Sequence, residues 1–203
     1  NKNPKARIKV MKGHFATSNS HLNTYIDMSP VQTTPHNFRE AARVLANEYP
    51  TNTYVNTIVC LDETEVIGTF LAEELADTSR LSLSADNNIS VITPEYNALG
   101  QIMFRDNKQR MIENQQVLIL AASVTTGKTI SKAIESILYY GGTVCGVSAI
   151  FSAVTKVAGM EIKTIFTSKD IPDYRAYEPS DCPMCKAGQR VEAIVNSFGY
   201  SKL

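Results

Sequence analysis

The feature that most constrains this fold is a strand–loop–helix pattern over residues 117–138. Four apolar residues at 117–120 are typical of a buried parallel strand, and apolar side chains then recur at helical spacing over 130–138. The loop between them points backbone N–H groups and the positive end of a helix dipole at one spot. The pattern therefore predicts an α/β fold in which this loop either binds a phosphate or is a plain strand-to-helix turn. The candidate phosphate ligands are Thr125, Thr126, Gly127, Lys128 and Thr129.

Composition excludes several classes of protein. The chain has 203 residues, which fits one domain of residues 1–203. Lys+Arg and Asp+Glu number 20 each, so the chain has no net positive charge that would favour nucleic acid or an anionic membrane as partner. No apolar run is long enough to cross a bilayer. Four cysteines do not make a disulfide scaffold at this size, so we expect a reduced, cytoplasmic protein.

Further elements follow from local patterns along the chain. We expect an edge strand at 6–11, a polar loop at 13–27, a helix opening at Pro35, and a helix closing the chain at 191–198. Strands are predicted at 54–61, 89–92, 143–151 and 161–166. Because strands and helices alternate, the sheet should be largely parallel, with a binding crevice at the carboxyl ends of its strands.

One family that the 117–129 segment resembles is the P-loop NTPases. Gly127, Lys128 and Thr129 complete their loop pattern, although Ala122 stands at its first glycine. Residues 55–63 resemble a Walker B strand, but they precede the loop instead of following it. A P-loop nucleotide-binding protein is therefore the lesser alternative.

The second resemblance is to the type I phosphoribosyltransferases. Their signature is four apolar residues, two acidic residues, one or two apolar residues, and then Thr-Thr/Ala-Gly-x-Thr. The sequence matches it at 117–120 and 125–129, and has Ala121 and Ala122 in place of the acidic pair. Residues 13–27 resemble the start of orotate phosphoribosyltransferases, with Gly-x-Phe, a serine-rich turn and then Tyr25. The resemblance covers residues 13–166 and is closest to the orotate enzymes.

This resemblance implies a particular architecture. The fold would be α/β, with a mostly parallel central sheet flanked by helices. Residues 1–34 would form a hood over the base site, 35–172 the α/β core with a β-hairpin flap, and 173–203 a tail with a Cys-x-x-Cys motif and a helix. Such proteins are homodimers.

The resemblance also implies ligands and site residues. The family transfers ribose 5-phosphate from phosphoribosyl diphosphate to a base nitrogen with the help of Mg²⁺, and a nucleoside monophosphate is the product. The implied residues are Ser18, His21 and Tyr25 near the base, Ala121, Ala122, Asp62 and Glu63 near the ribose or diphosphate, and Lys108 and Arg105 as catalytic cations on the flap. The residues themselves leave alternatives open. His21 fits a solvated loop, the acidic residues fit a helix N-terminus, and the cations fit a solvated surface.

Three departures from the family pattern bear on activity. Ser18 stands where a base-holding lysine is expected, Asp62 and Glu63 replace a glycine-rich diphosphate loop, and alanines replace the ribose-binding acids. We therefore predict a poor or altered orotate phosphoribosyltransferase. The alternative is a non-catalytic, regulatory protein that binds a 5′-phosphorylated nucleotide on the same fold.

The Cys-x-x-Cys motif is the remaining candidate site. Cys182 and Cys185 would supply half of a tetrahedral Zn²⁺ site, and the sequence contains no second pair of this kind. The pair could bind zinc, share it across a dimer, form a reactive dithiol, or simply mark a turn.

Overall fold

The computed structural model describes residues 6–78, 88–196 and 199–203. Its strands are, in chain order, β1 (Lys9–Ala16), β2 (His21–Asp27), β3 (Thr57–Cys60), β4 (Ser90–Ile92), β5 (Glu95–Tyr96), β6 (Ile102–Met103), β7 (Gln116–Val124), β8 (Thr143–Ser152), β9 (Lys156–Val157), β10 (Met160–Thr167), β11 (Ala176–Tyr177), β12 (Ala193–Asn196) and β13 (Gly199–Lys202). Its α-helices are α1 (Pro35–Ala46), α2 (Glu65–Thr78), α3 (Asp106–Gln109), α4 (Lys128–Tyr139) and α5 (Pro183–Lys186). None of the helices in these ranges is both long and apolar enough to cross a membrane.

The central sheet has six strands in the order β4-β3-β7-β8-β10-β9. All neighbours pair in parallel except β9 and β10, which are antiparallel. This confirms the mostly parallel sheet predicted from the alternation of strands and helices. Parallel strands end at one edge, so the loops after β3, β7 and β8 meet there.

Strand β7 is buried on both faces, as its apolar run predicted. Leu118 and Leu120 pack with α1 and α2 on one face, whereas Val117 and Ile119 pack with α4 on the other. The period of two along a strand alternates these side chains between two hydrophobic clusters. The sheet is therefore flanked by helices on both faces.

The N-terminal hood is a β-hairpin, and the predicted polar loop at 13–27 was wrong. Strands β1 and β2 pair antiparallel, and β1 also pairs with β12, inside a second sheet ordered β11-β2-β1-β12-β13. Strand β1 therefore lies in the interior of this sheet and not at an edge. Phe15, Leu22 and Tyr25 bury their side chains, so tertiary packing overrides the turn-like composition of the segment.

The predicted C-terminal helix at 191–198 was also wrong. Strand β12 occupies residues 193–196 of this range and pairs antiparallel with β13, while residues 197–198 lie outside the described part of the chain. Along β12, Ala193 and Val195 are buried whereas Ile194 and Asn196 are exposed. This alternation is the period of a strand, and pairing with β1 turns its apolar side toward the core.

The expected flap is a short hairpin. Strands β5 and β6 form a two-stranded antiparallel sheet. Asn97 stabilises the turn between them, because its side-chain oxygen accepts hydrogen bonds from the backbone N–H groups of Leu99 and Gln101, both at 2.9 Å. Helix α3 then leads the chain back to β7.

Candidate functional site

A cavity of about 270 Å³ lies at the carboxyl ends of β3, β7 and β8. Its wall combines the central sheet with the second sheet, because the hood and the C-terminal hairpin close over the strand ends. The lining includes Asp62 after β3, Ala122 and Ser123 of β7, Thr125 and Thr129 of the following loop, Phe151 of β8, hood residues 17–19 and 24–29, Tyr174, and Val195, Asn196 and Gly199 of the tail. This is the crevice that parallel α/β sheets offer to ligands.

The 125–129 loop forms the floor of the cavity at the N-terminus of α4. Gly127 is the N-cap of the helix and has a φ of 81°, a left-handed conformation that favours glycine. Thr125 and Thr129 line the cavity. Thr126 is exposed outside the lining, and Lys128 Nζ donates to Glu178 at 2.9 Å on the surface. Two threonine hydroxyls and the first backbone N–H groups of α4 are therefore available to an anion.

Asp62 reaches the cavity from a sharp turn after β3. Asp62 and Glu63 have φ values of 56° and 59°, a backbone conformation that is uncommon for residues other than glycine. Thr64 holds the turn, since its hydroxyl donates to the carbonyl oxygens of Leu61 at 2.7 Å and Leu120 at 3.1 Å. The result separates the two acids. Asp62 lines the cavity, whereas Glu63 is exposed and lies outside the lining.

Burial raises the pKa of Asp62 from 3.8 to about 6. Desolvation penalises the charged carboxylate, and no cation among the described residues offsets the penalty. Asp62 also raises the pKa of Tyr96 in the flap, after the larger effect of partial burial. The flap hairpin therefore stands on the Asp62 side of the cavity. A cation bound beside Asp62 would favour its ionised form.

The two alanines at the expected acidic positions face opposite ways. Ala122 lines the cavity, whereas Ala121 packs into the α4-side cluster with Ile119. Strand β3 pairs with β7 up to Cys60, which lies beside Leu120, and the chain then turns at Asp62. Asp62 and Ala122 line the same cavity, so a carboxylate enters it from the turn after β3 and not from β7.

The residues expected at the base divide into two groups. Ser18 and Tyr25 line the cavity. The pKa of Tyr25 is raised, first by burial and then by repulsion of its ionised form by Asp27 and Tyr200. His21 lies elsewhere, since its ring faces His14 with Nδ1 3.0 Å from His14 Nε2. His21 is therefore the first residue of strand β2, outside the cavity lining, and does not lie in a solvated loop.

The flap cations lie outside the cavity lining. Arg105 pairs with Glu95 across the base of the hairpin, with its guanidinium 2.7 Å from the carboxylate. Lys108 donates to the carbonyl oxygen of Thr93 at 3.1 Å. Both side chains hold the flap together in this conformation, so a role at the ligand would need the flap to move.

Comparison with known proteins supplies the context for this geometry. No family model matches the chain. The orotate phosphoribosyltransferase of Desulforamulus reducens is 24% identical over 180 residues, which is 88% of this chain and 86% of that protein. The orotate phosphoribosyltransferase structure from Aeropyrum pernix superimposes with a TM-score of 0.53 at 20% identity, covering 88% of this chain and 92% of that one. Adenine phosphoribosyltransferase from Trypanosoma brucei, solved with AMP, pyrophosphate and ribose-5-phosphate, gives 0.53 at 13% identity over 74% and 73% of the two chains.

The chain has the type I phosphoribosyltransferase fold. Curated relatives named as orotate phosphoribosyltransferases match most of its length, and solved structures of the same kind share its architecture. The fold favours the phosphoribosyltransferase interpretation over the P-loop alternative.

Several residues around the cavity were missed by reasoning from the sequence. Ser123 lies between the two matched parts of the signature, Asp27 ends the 13–27 segment but was not singled out as a site residue, and Tyr174 comes from a segment with no recognised motif. Asn196 was assigned to a helix, although the alternation of apolar and polar residues over 193–196 is the signal that could have placed it in a strand. In this phosphoribosyltransferase fold, the hood and the tail complete the cavity together.

A second group of side chains lies beside the hood. His14, His21, Cys182 and Cys185 each direct one nitrogen or sulfur atom to a common point, and these atoms all lie within 4.8 Å of one another. His14 and Cys182 are fully buried, His21 is half-buried and Cys185 is exposed. The sequence indicated the two cysteines, but the two histidines of the hood were not connected with them.

Proposed function

We propose that this protein binds a 5′-phosphorylated ribose ligand, either phosphoribosyl diphosphate or a nucleoside monophosphate, in the 270 Å³ cavity. The observation that carries the proposal is the position of the 125–129 loop, where two of the three threonines line the cavity at the N-terminus of α4. The related orotate phosphoribosyltransferases and the Trypanosoma brucei enzyme with its bound AMP and ribose-5-phosphate support this class of ligand.

The phosphate would bind at the 125–129 loop. The first N–H groups of a helix have no partner within the helix and carry partial positive charge. Thr125 and Thr129 add hydroxyl donors on the cavity side, whereas Lys128 is engaged with Glu178. Phosphate selectivity would therefore come from neutral donors, each worth about 1.5–3 kcal/mol toward a charged group.

Mg²⁺ is the cofactor that this fold implies, and Asp62 fits it. The ion usually binds through one or two carboxylates together with substrate phosphates. Asp62 supplies one carboxylate to the cavity from the turn after β3, and Ala122 lines the same cavity. When bound, Mg²⁺ would neutralise charge on the diphosphate. Asp62 would hold the ion and orient the ribose, while the hood limits access of water.

Phosphoribosyl transfer to a base would be slow or altered. Ala122 offers no hydrogen bond to ribose hydroxyls, Ser18 is a short neutral side chain in the base region, and the flap cations are engaged with the flap itself. Orotate carries a negative charge, and we find no free cation lining the described cavity for it. A base without a carboxylate is therefore the better substrate.

A non-catalytic binder is the second candidate function. It is favoured by the same engagement of Arg105 with Glu95 and of Lys108 with Thr93, because a transferase of this type needs cations at the leaving diphosphate. Such a protein would sense a nucleotide without consuming it. Turnover of phosphoribosyl diphosphate in the presence of bases separates the two functions.

We also propose a homodimer. Leu99 of the flap and Leu138 and Tyr139 at the end of α4 are exposed by 81%, 58% and 83% of their surface. The flap adjoins α4, since the Ser136 hydroxyl donates to the carbonyl oxygen of Ile102, and exposed apolar surface on adjoining elements is typical of an interaction surface. The flap would then approach the partner subunit.

Calorimetry with phosphoribosyl diphosphate and Mg²⁺ tests the proposal. Thr129→Ala removes one hydroxyl from the cavity and should weaken binding about 10- to 150-fold, the range for one hydrogen bond to a charged group. Thr143→Ala is the matched control, since Thr143 is exposed at the start of β8, at the opposite edge of the sheet. Equal affinity of both variants and the unmodified protein would show that the loop is not the phosphate site.

A further inference from the structure

We propose that His14, His21, Cys182 and Cys185 bind one structural Zn²⁺ within a single chain. The site is separate from the ligand cavity and does not depend on the proposed function. It changes the interpretation of the Cys-x-x-Cys motif, because the second pair of ligands comes from the other end of the chain and consists of histidines.

The four ligands come from two segments that the fold brings together. His14 lies at a β-bulge, where the register between β1 and β2 shifts between Lys12 and Phe15. His21 begins β2, and the cysteines lie at the N-cap and in the first turn of α5. Bulges redirect side chains at functional sites, and this one turns His14 out of the regular alternation.

Four of the six distances between the ligand atoms lie close to the edges of a tetrahedral zinc site, and the other two are at most 4.8 Å. Zinc bonds of about 2.0–2.1 Å to nitrogen and 2.3 Å to sulfur give tetrahedral edges of about 3.3 Å between nitrogens and 3.6 Å between nitrogen and sulfur. The measured edges are 3.0 Å for His14 Nε2 to His21 Nδ1, 3.6 Å and 3.7 Å for His14 Nε2 to the sulfurs of Cys182 and Cys185, and 3.3 Å for His21 Nδ1 to Cys185 Sγ.

The surroundings of His14 orient it as a metal ligand. Its Nδ1–H donates a hydrogen bond to the carbonyl oxygen of Gln189 at 2.9 Å. This tautomer leaves the lone pair of Nε2 directed at the cluster. Its backbone N–H donates to Glu192 Oε1 at 3.0 Å, and its carbonyl oxygen accepts from the backbone N–H of Glu192 at 2.7 Å. A Cβ at Gly13 would lie 2.9 Å from Glu192 Oε2, so a larger residue there would displace the carboxylate that accepts from the His14 backbone.

Soft thiolates with imidazoles in a closed tetrahedron select zinc over the harder magnesium or calcium ions. Binding would release one proton from each thiol to the solvent, and the two thiolates would balance the charge of the ion. Four protein ligands would fill the tetrahedral coordination of zinc and leave no open position for a substrate. The role is therefore structural.

The consequence of the site is a clamp between the hood and the tail. Residues 17–20 form the turn between the two histidine ligands, and Thr17, Ser18 and Asn19 of this turn line the ligand cavity. Zinc would fix the base of this turn against α5 and the tail. This last step rests on the proposed function of the cavity, whereas zinc binding does not.

Zinc analysis of the purified protein tests the site. The full chain, without an affinity tag that binds metals, is purified under reducing conditions without chelators and analysed by mass spectrometry. We expect about one zinc per chain, and less than about a tenth of that in Cys182→Ser and in His14→Gln. The matched controls are Cys145→Ser in β8 and His36→Gln on the exposed start of α1, which should keep the metal.

Cobalt binding keeps the test valid if the ligand variants fail to fold. Co²⁺ added to the zinc-free, unmodified protein should give the visible bands and thiolate charge transfer of a tetrahedral site. Removing zinc with a chelator should lower the melting temperature, and returning zinc should restore it.

Less than about a tenth of a zinc per chain with no cobalt spectrum would overturn the proposal. One zinc per two chains would overturn its assignment to a single chain. Zinc retained in a protein that binds no ribose ligand would refute the proposed function and leave this site standing.

Discussion

Replacing Asp62 by asparagine should stabilise the protein and weaken its ligand binding. Asp62 is placed in the cavity by a turn with two left-handed residues, and within the part of the chain that the structure describes no cation offsets its burial. Asparagine has nearly the same shape but no charge to desolvate. Functional carboxylates often reduce stability in this way, so gain of stability and loss of binding should appear together.

The size of the effect follows from the pKa of Asp62, which burial raises from 3.8 to about 6. The folded state holds the proton more tightly than the unfolded state. Stability is therefore highest below the ordinary pKa and is lost as the pH rises through the folded pKa. Each pKa unit corresponds to about 1.4 kcal/mol, so the cost of Asp62 is about 1.6 kcal/mol at pH 5 and at most about 3 kcal/mol at pH 8.

Urea unfolding of Asp62→Asn at pH 5 and pH 8 measures this difference. The gain over the unmodified protein should grow by about 1.4 kcal/mol between the two pH values, and the melting temperature at pH 8 should rise by up to about 12 °C. Glu63→Gln is the matched control, because Glu63 is exposed in the same turn and should change little. A gain that is equal at both pH values would show that ionisation of Asp62 is not its cause. Lower stability at pH 8 would show that the carboxylate has a stabilising partner.

Three further outcomes are expected. Gly127→Ala should destabilise the protein and abolish binding of phosphoribosyl diphosphate, because Gly127 has a φ of 81° and a Cβ would overlap Val157. Thermal unfolding measures the loss of stability and calorimetry the loss of binding, and unchanged affinity would contradict the role of the loop. Turnover of orotate with phosphoribosyl diphosphate and Mg²⁺ should fall below the ordinary enzyme range of about 1–1000 per second, and a rate within that range would refute our interpretation of Ala122 and Ser18. Sedimentation should give a dimer at micromolar concentration, with Tyr139→Glu shifting it toward monomer, since Tyr139 is exposed at the end of α4; a monomeric unmodified protein would contradict the assembly.

The core of the fold could be predicted from the sequence because its signals are local. The apolar run of β7, Gly127 at the N-cap of α4 and Pro35 in the first turn of α1 each specify an element within a few residues. The order of these elements then determines a parallel sheet and the edge at which ligands bind.

The second sheet could not be predicted in the same way, because its strands are defined by partners far away in the sequence. Strand β1 pairs with β12, so Phe15 lies beside Ala193 across most of the chain. Polar residues such as Asn23 and Thr24 suggest a loop until that pairing is known. The histidines at 14 and 21 were missed as partners of Cys182 for the same reason.

The most direct test of the central claim is calorimetric binding of ribose 5-phosphate compared with ribose. The pair differs only in the phosphate and carries no base, so neither the unknown base nor catalysis affects the result. The 125–129 loop predicts saturable binding of ribose 5-phosphate at least about 100-fold tighter than ribose, since two hydrogen bonds to the phosphate contribute about 1.5 kcal/mol each at minimum. Equal affinities, or binding of neither sugar, would contradict a 5′-phosphate site in this cavity.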